Sequence, residues 1–303
     1  MATIAVWVPN PERLARWVDH LGKLLPDHRI VCANEVEGSP EVAYAVVWKP
    51  PTGMIAGWSN VRATISIGAG IDHVLADREY PANVPILKTI GPDMIQRMRE
   101  FVTLQVLSAH REMPALAAAQ SRREWHQVIT PTAQDRTVGV MGLGVFGKAC
   151  AKALVELGFD VMGWSRSGAN VDGVRSYAQA GFTEFIESSQ ILVCLLPLTD
   201  QTRGILNAKL FAKLPVGAHV VNVGRGQHVV EQDLLSALES GQVSHAALDV
   251  FDIEPLPANH PYWAHPRISV TPHIASLIDP ISGGMEIAKT ISNIESSPDH
   301  VGW

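Results

Sequence analysis

Cysteine is scarce in this sequence: Cys32, Cys150 and Cys194 are the three present, odd in number and widely spaced. That spacing matches no metal-ligand pattern and predicts no metal site; it fits free, mostly buried thiols in a reducing cytoplasm. Charge is thin as well. Charged residues make up 18% of the chain and the net charge is −6, which argues against nucleic acid or an anionic membrane surface as the main partner. The longest apolar stretch, Ile191 to Leu198, is far short of the ~20 residues that span a bilayer. The opening Met-Ala-Thr-Ile-Ala-Val-Trp has no basic region and runs straight into a strand-like pattern, so no signal peptide is expected. No repeat or low-complexity tract suggests an array or a recruiting tail. Apolar residues, by contrast, are plentiful at 47% of 303 residues. A chain of this length and composition predicts two globular domains with sizeable cores.

Short apolar runs alternate with helical patterns almost throughout. Ile4–Val8, Ile30–Cys32, Ala43–Trp48 and Ala63–Ile67 read as strands, and Pro11–Leu25 reads as an amphipathic helix closed by Pro26. A long helical pattern runs from Asp93 to about Arg123, interrupted by Pro114. Alternation then restarts with Thr137–Met141, Gly147–Leu157, Asp160–Trp164, Ile191–Leu196, His219–Val223, Asp233–Glu239, Ser244–Val250 and Ile268–Val270. Strand-helix alternation means crossover connections and parallel sheets covered on both faces, here two doubly wound α/β domains. The helical tail after Ile278 has no strand to pair with in the second series and is expected to pack back on the first domain.

Gly142-Leu143-Gly144-Val145-Phe146-Gly147 follows an apolar strand and opens a helix. In that setting a GxGxxG reads as a dinucleotide turn: one glycine for the tight bend, one for close approach of a pyrophosphate, one for helix–strand packing. A plain glycine-rich turn is the alternative. An acid at the end of the next strand would receive the ribose hydroxyls of NAD. This chain has Gly163-Trp164-Ser165-Arg166-Ser167 there and no acid before Asp172. A guanidinium between two hydroxyls suits a 2′-phosphate, so NADP(H) is the expected cofactor, with NAD(H) usable. A solvated surface arginine is the competing reading.

Three other predicted strands end in chemistry: Val223-Gly224-Arg225-Gly226, Asp249 through Glu254-Pro255, and Thr271-Pro272-His273. Carboxyl ends of strands face the ligand crevice of an open α/β sheet, so these side chains can converge. Taken singly, such an arginine is usually a solvated ion-pair residue and such a histidine a loop residue.

Together with Leu195-Leu196-Pro197-Leu198-Thr199, Val47-Trp48-Lys49-Pro50-Pro51 and Gly68-Ala69-Gly70-Ile71-Asp72, the pattern closely resembles the D-isomer-specific 2-hydroxyacid dehydrogenases, and within them the glyoxylate/hydroxypyruvate reductase A group. The resemblance covers most of the chain. It implies a flavodoxin-like substrate domain (residues 1–98 and 279–303) and a Rossmann dinucleotide-binding domain (99–278), which close on each other about hinges near 93–100 and 275–279. It implies that Arg225 binds the substrate carboxylate and polarises the keto oxygen, that His273 donates the proton, and that Glu254 orients the imidazole and favours its charged form. Val145, Phe146, Leu196, Pro197 and Val223 would line the cofactor, and Asp249 would lie near the nicotinamide carboxamide unless it only caps a turn. Backbone N–H groups of Ala69 and Gly70 would cradle the carboxylate and Trp48 would wall the pocket, although a glycine turn and a core tryptophan are the plainer readings. The mechanism needs neither Asp72 nor His73, and Cys194 reads as packing.

The implied partners are a small 2-keto or 2-hydroxy acid and a second copy of the chain, with Trp125 reaching the neighbouring subunit's site by analogy. Two other readings compete. Dinucleotide-sensing corepressors of the superfamily keep the catalytic triplet but use NAD(H); formate dehydrogenases carry a glutamine where this chain has Glu254.

Overall fold

The computed structural model describes residues 1–296, so the last seven residues of the expected 279–303 segment lie outside it. Two compact units partition the chain: Met1–Met94 with the segment from Ile278 onward, and Ile95–Leu277.

The smaller unit holds strands β1 (Thr3–Trp7), β2 (Arg29–Cys32), β3 (Val42–Val47), β4 (Ala63–Ser66) and β5 (Ile86–Lys88), with helices α1 (Pro11–Leu24) and α2 (Asp72–Leu75). All pairings are parallel and the order is β2-β1-β3-β4-β5, the flavodoxin-like arrangement. Strand β4 is buried along its whole length and β3 nearly so, as a sheet covered on both faces requires. Helix α1 starts where expected, with the Asn10 side chain accepting from Arg13 N at 2.9 Å and Pro11 in its first turn.

Against α1 lies the last described helix, which takes the label α9 (Pro280–Ser296) once the intervening helices are counted. A side chain at Gly283 would collide with Ile278 and Trp17, and one at Gly284 would press on Leu24 and His20. Two glycines therefore let α9 seat on α1, in the unit that holds the first series of strands.

The larger unit begins on α3 (Pro92–His110), most of which it contains, and α4 (Met113–Ser121). Its strands are β6 (Thr137–Met141), β7 (Asp160–Trp164), β8 (Arg175–Tyr177), β9 (Ile191–Cys194), β10 (Ala218–Asn222), β11 (Val243–Leu248) and β12 (Ile268–Val270). Helices α5 (Val145–Glu156), α6 (Phe182–Ser188), α7 (Ala208–Phe211) and α8 (Glu231–Glu239) connect them. The order is β12-β11-β10-β9-β6-β7-β8. The chain runs outward from β6 to β8 and then restarts at β9 on the other side, so the switch point lies between β6 and β9. Both faces are packed. Leu192 and Cys194 of β9 join one cluster, with Met141, Val220 and Leu248, while Ile191 and Val193 join the other, with Val138, Val140, Val221 and Ala247.

The fold class is as expected, but the helical stretch after Asp93 is two helices rather than one. Its break falls at Glu112, whose φ of 55° is left-handed. Pro114 sits in the first turn of α4, where no N–H is needed; in a continuous helix its ring would strike the carbonyl of His110. Strands β5 and β8 were not anticipated. Each is three residues long and at an edge, too short to show a period.

Two buried histidines on the β10–β11 face, His219 and His245, stand 6.2 Å apart beneath Gln105, Ser108 and Pro114. Burial, with the neighbouring histidine and Arg136 adding to it, lowers His219 to about 4; burial and then His265 lower His245 to about 4. Both are neutral in the fold, whereas the unfolded chain binds protons below about pH 6.5. Stability is therefore lost as pH falls from about 6.5 toward 4, on the order of 2 kcal/mol per histidine by pH 5. Urea midpoints measured between pH 7.5 and 5 should fall, and fall less in a His219→Leu/His245→Asn variant. Parallel curves for the two proteins would refute the assignment.

Candidate active site

Six strand ends of the larger unit carry the expected residues. In the β6–α5 turn, Gly142 has a φ of 102°, and a Cβ on it would stand 2.8 Å from the Leu195 carbonyl oxygen. Gly147 packs so closely that a Cβ would collide with the Gly142 carbonyl. Gly144 differs: it caps α5 without a side-chain hydrogen bond, and nothing lies within 4 Å of where its Cβ would be. That opening, at a helix start whose N–H groups are not capped, fits the pyrophosphate of a dinucleotide. Val145 is exposed and Phe146 half-buried in the first turn.

After β7, the Ser165 hydroxyl accepts from Ala169 N at 2.8 Å. Arg166 and Ser167 are exposed, with Arg166 Nη1 3.5 Å from Gln201 Oε1. After β9 and β10, Leu196 and Val223 turn their side chains into the two cores and Pro197 is exposed. Leu196 and Val223 can therefore meet a ligand only through their backbone.

Arg225 follows β10 in a turn braced from two sides. Buried Asn222 donates through Nδ2 to the Arg225 carbonyl at 2.9 Å, and Arg225 N donates to His228 Nδ1 at 3.0 Å. His228 is fully buried, and its Nε2 lies 3.4 Å from the Pro197 carbonyl oxygen. A side chain at Gly226 would collide with the backbone of Phe251 and Asp252. The arginine turn is thus keyed to the loop that carries Glu254.

That loop and the one after β12 bring Glu254 and His273 together. His273 Nδ1 lies 3.1 and 3.0 Å from the two carboxylate oxygens of Glu254, so Nδ1–H donates and the tautomer is set. Glu254 Oε1 also accepts from Phe251 N at 3.1 Å. His273 itself has a left-handed φ of 54°. What holds it is Asp249, 1% exposed at the end of β11. The Asp249 carboxylate accepts from Thr271 Oγ1 at 2.6 Å, Ile274 N at 2.9 Å and Ala275 N at 2.9 Å, and its carbonyl accepts from His273 N at 2.8 Å. Burial pushes its carboxyl up, against the pull of these hydrogen bonds. Asp249 thus serves as the clamp of the His273 turn.

Trp48, Ala69 and Gly70 belong to the smaller unit, at the ends of β3 and β4. Trp48 lies against Gly68, whose Cβ would stand 3.5 Å from its ring, while Ala69 and Gly70 are half-buried. Cys194, fully buried, has its thiol pushed up to about 12, which makes it inert packing. Sequence reasoning missed Asn222, His228 and Thr271. The signal available was polarity out of place: Asn222 interrupts the apolar run Val220–Val223.

A parallel sheet with a glycine turn at its switch point, and an arginine, a carboxylate and a histidine on three neighbouring strand ends, defines a dinucleotide-dependent oxidoreductase. Residues 103–275 match the family described as D-isomer specific 2-hydroxyacid dehydrogenase, NAD binding domain, and the chain belongs to that family. It is 40% identical over 293 residues to glyoxylate/hydroxypyruvate reductase A of Serratia proteamaculans, covering 94% of this chain and 93% of that one. A D-isomer specific 2-hydroxyacid dehydrogenase from Xanthobacter autotrophicus, solved with NADPH and MES, superposes with a TM-score of 0.90 at 38% identity, covering 98% and 95% of the two chains. An NADPH-dependent glyoxylate/hydroxypyruvate reductase from Sinorhizobium meliloti, solved with NADP and sulfate, gives 0.92 at 35%, covering 98% and 96%.

The clamp is testable. Asp249→Ala strands two backbone N–H groups, and should lower stability by at least about 2 kcal/mol and reduce kcat while Arg225 and Glu254 remain in place. Denaturation and steady-state rates check both; a stable variant with normal kcat would show that His273 is held by something else.

Proposed function

We propose that this chain reduces small 2-keto acids, glyoxylate and hydroxypyruvate among them, to D-2-hydroxy acids with NADPH, NADH being a poorer donor. The observation that carries it is the His273–Glu254 pair, closed at 3.0 Å on strand ends next to that of Arg225. The Gly142–Gly147 turn, with Val145 and Phe146, holds the pyrophosphate. Arg166 with Ser165 and Ser167 holds the 2′-phosphate, and Leu196, Pro197 and Val223 line the nicotinamide end, behind which the buried Asp249 braces the His273 turn. Bound there, the reduced nicotinamide supplies a hydride to the keto carbon. The Arg225 guanidinium grips the substrate carboxylate and polarises the keto oxygen, a job its planar fork suits. The N–H groups of Ala69 and Gly70 share the carboxylate, with Trp48 as a wall. His273 gives the proton from Nε2 to the developing alkoxide, while Glu254 keeps the ring oriented through Nδ1 and stabilises it when charged. Three cysteines without a disulfide among them suit a cytoplasmic enzyme.

NADPH oxidation with hydroxypyruvate or glyoxylate, and NADP+ or NAD+ reduction with formate in a parallel assay, test the reading. Turnover is expected with the keto acids. His273→Ala should lose about 10²–10⁴-fold in kcat with NADPH binding intact, and Arg166→Ala should weaken NADPH about ten- to a hundredfold while hardly affecting NADH. Turnover of formate alone, a near-normal His273→Ala rate, or equal weakening of both cofactors would each overturn its part.

The assembly we propose is a homodimer formed through the helical arm and the segment after it. Leu104 and Met113 are exposed there, Trp125 is 91% exposed and Ile129 100%, an apolar display that water disfavours. By analogy with the family, Trp125 would reach the neighbouring subunit's site. Sedimentation should give a dimer at micromolar concentration, dissociating in Trp125→Asp/Ile129→Asp; a wild-type monomer would exclude it.

A further inference from the structure

The reaction as proposed uses neither residue of the Asp72-His73 pair, yet three segments of the smaller unit meet at the His73 imidazole, in the first turn of α2. Its Nδ1 lies 3.2 Å from Lys49 N, its Nε2 lies 3.0 Å from Ser66 Oγ, and its ring centroid is 4.4 Å from that of Trp48. These contacts dictate the tautomer. A backbone N–H can only donate, so Nδ1 accepts from Lys49 and the proton of the neutral ring sits on Nε2. Nε2–H then donates to Ser66 Oγ, and the Ser66 hydroxyl donates to the Gly70 carbonyl at 2.7 Å. The chain runs one way, from Lys49 N–H through His73 and Ser66 to Gly70.

Both ends of that chain need holding. Lys49 has a φ of 46°, a left-handed backbone that a lysine seldom adopts. Gly68 has a φ of 124° and lies against the Trp48 ring. The far side of this second turn is secured separately, by Thr89 N to the Gly68 carbonyl at 3.1 Å and Thr89 Oγ1 to the Ser66 carbonyl at 2.8 Å. Besides the Ile67 N to Val47 carbonyl hydrogen bond at 2.9 Å and the Trp48–Gly68 contact, a side-chain link between the Trp48–Lys49 turn and the Gly68–Gly70 turn passes through His73.

We propose that His73 is a positioning residue that locks Trp48 and the Gly68–Gly70 turn into one rigid keto-acid subsite. The inference rests on the reading that Trp48, Ala69 and Gly70 hold the substrate. It accounts for a polar ring placed between two turns whose own side chains do no proton chemistry. Because Arg225, Glu254 and His273 lie in the other unit, loss of His73 should raise KM for the keto acid more than it lowers kcat.

Four variants test this with hydroxypyruvate, NADPH titrations and thermal melts. His73→Ala should raise KM about tenfold, the scale of one hydrogen bond, with kcat within about threefold of wild type and NADPH affinity unchanged. His73→Asn places an amide oxygen where Nδ1 was, and His73→Gln places an amide nitrogen where Nε2 was; each restores one link and should give an intermediate KM. If His73→Ala does not fold, these two variants carry the comparison with wild type. Ala69→Val, which crowds the turn directly, separates the two levels of the argument. A raised KM in Ala69→Val with unchanged KM in the His73 variants overturns the inference alone. An unchanged KM in Ala69→Val overturns the subsite and the inference with it. Asn and Gln variants no better than a folded alanine variant would exclude the hydrogen-bond chain.

Discussion

One buried carboxylate, Asp249, indexes the chemistry of the larger unit. Its two oxygens and its carbonyl take up hydrogen bonds from residues 271 to 275, so the turn bearing His273 is tied to the end of β11 instead of hanging from the short edge strand β12. The loop leaving β11 supplies Glu254, and the backbone of that loop fills the space a side chain at Gly226 would need. Arginine, carboxylate and histidine come from three separate strand ends, yet each is located by contact with the middle one. Proton transfer is sensitive to misplacement of about an ångström, and a buried, fully used hydrogen-bonding group is the kind of anchor that holds such tolerances.

Phosphate recognition, as we propose it, is arranged in the opposite way. Arg166 and Ser167 are exposed, and on that proposal the cofactor preference rests on an absent acid as much as on a present arginine. A charge attracts over several ångströms and tolerates a mobile side chain. Selectivity between cofactors can therefore sit at the surface, while catalysis is set among groups that are half-buried or buried.

The sequence showed the alternation of elements, the dinucleotide turn and the three strand ends, because each of these is written in local pattern: period, glycine spacing, and chemistry immediately after an apolar run. Edge strands β5 and β8 were hidden by their brevity, and the break at Glu112 by a residue type that gives no warning of a left-handed φ. The braces Asn222 and His228 and the role of His73 were hidden for another reason. A polar side chain's partner is defined only by what tertiary packing brings beside it, so His73 and His228 look alike in sequence although one joins two turns of the smaller unit and the other steadies Arg225.

The seating of α9 on α1 has a consequence for biosynthesis. The segment that covers Trp17 and Leu24 through Gly283 and Gly284 is translated only after the whole Ile95–Leu277 unit. At about 5–20 residues per second, the apolar face of α1 waits on the order of ten to fifty seconds for its cover on the ribosome. The later-made unit is contiguous and can close first, leaving the earlier-made one unfinished and open to chaperones until its last helix emerges.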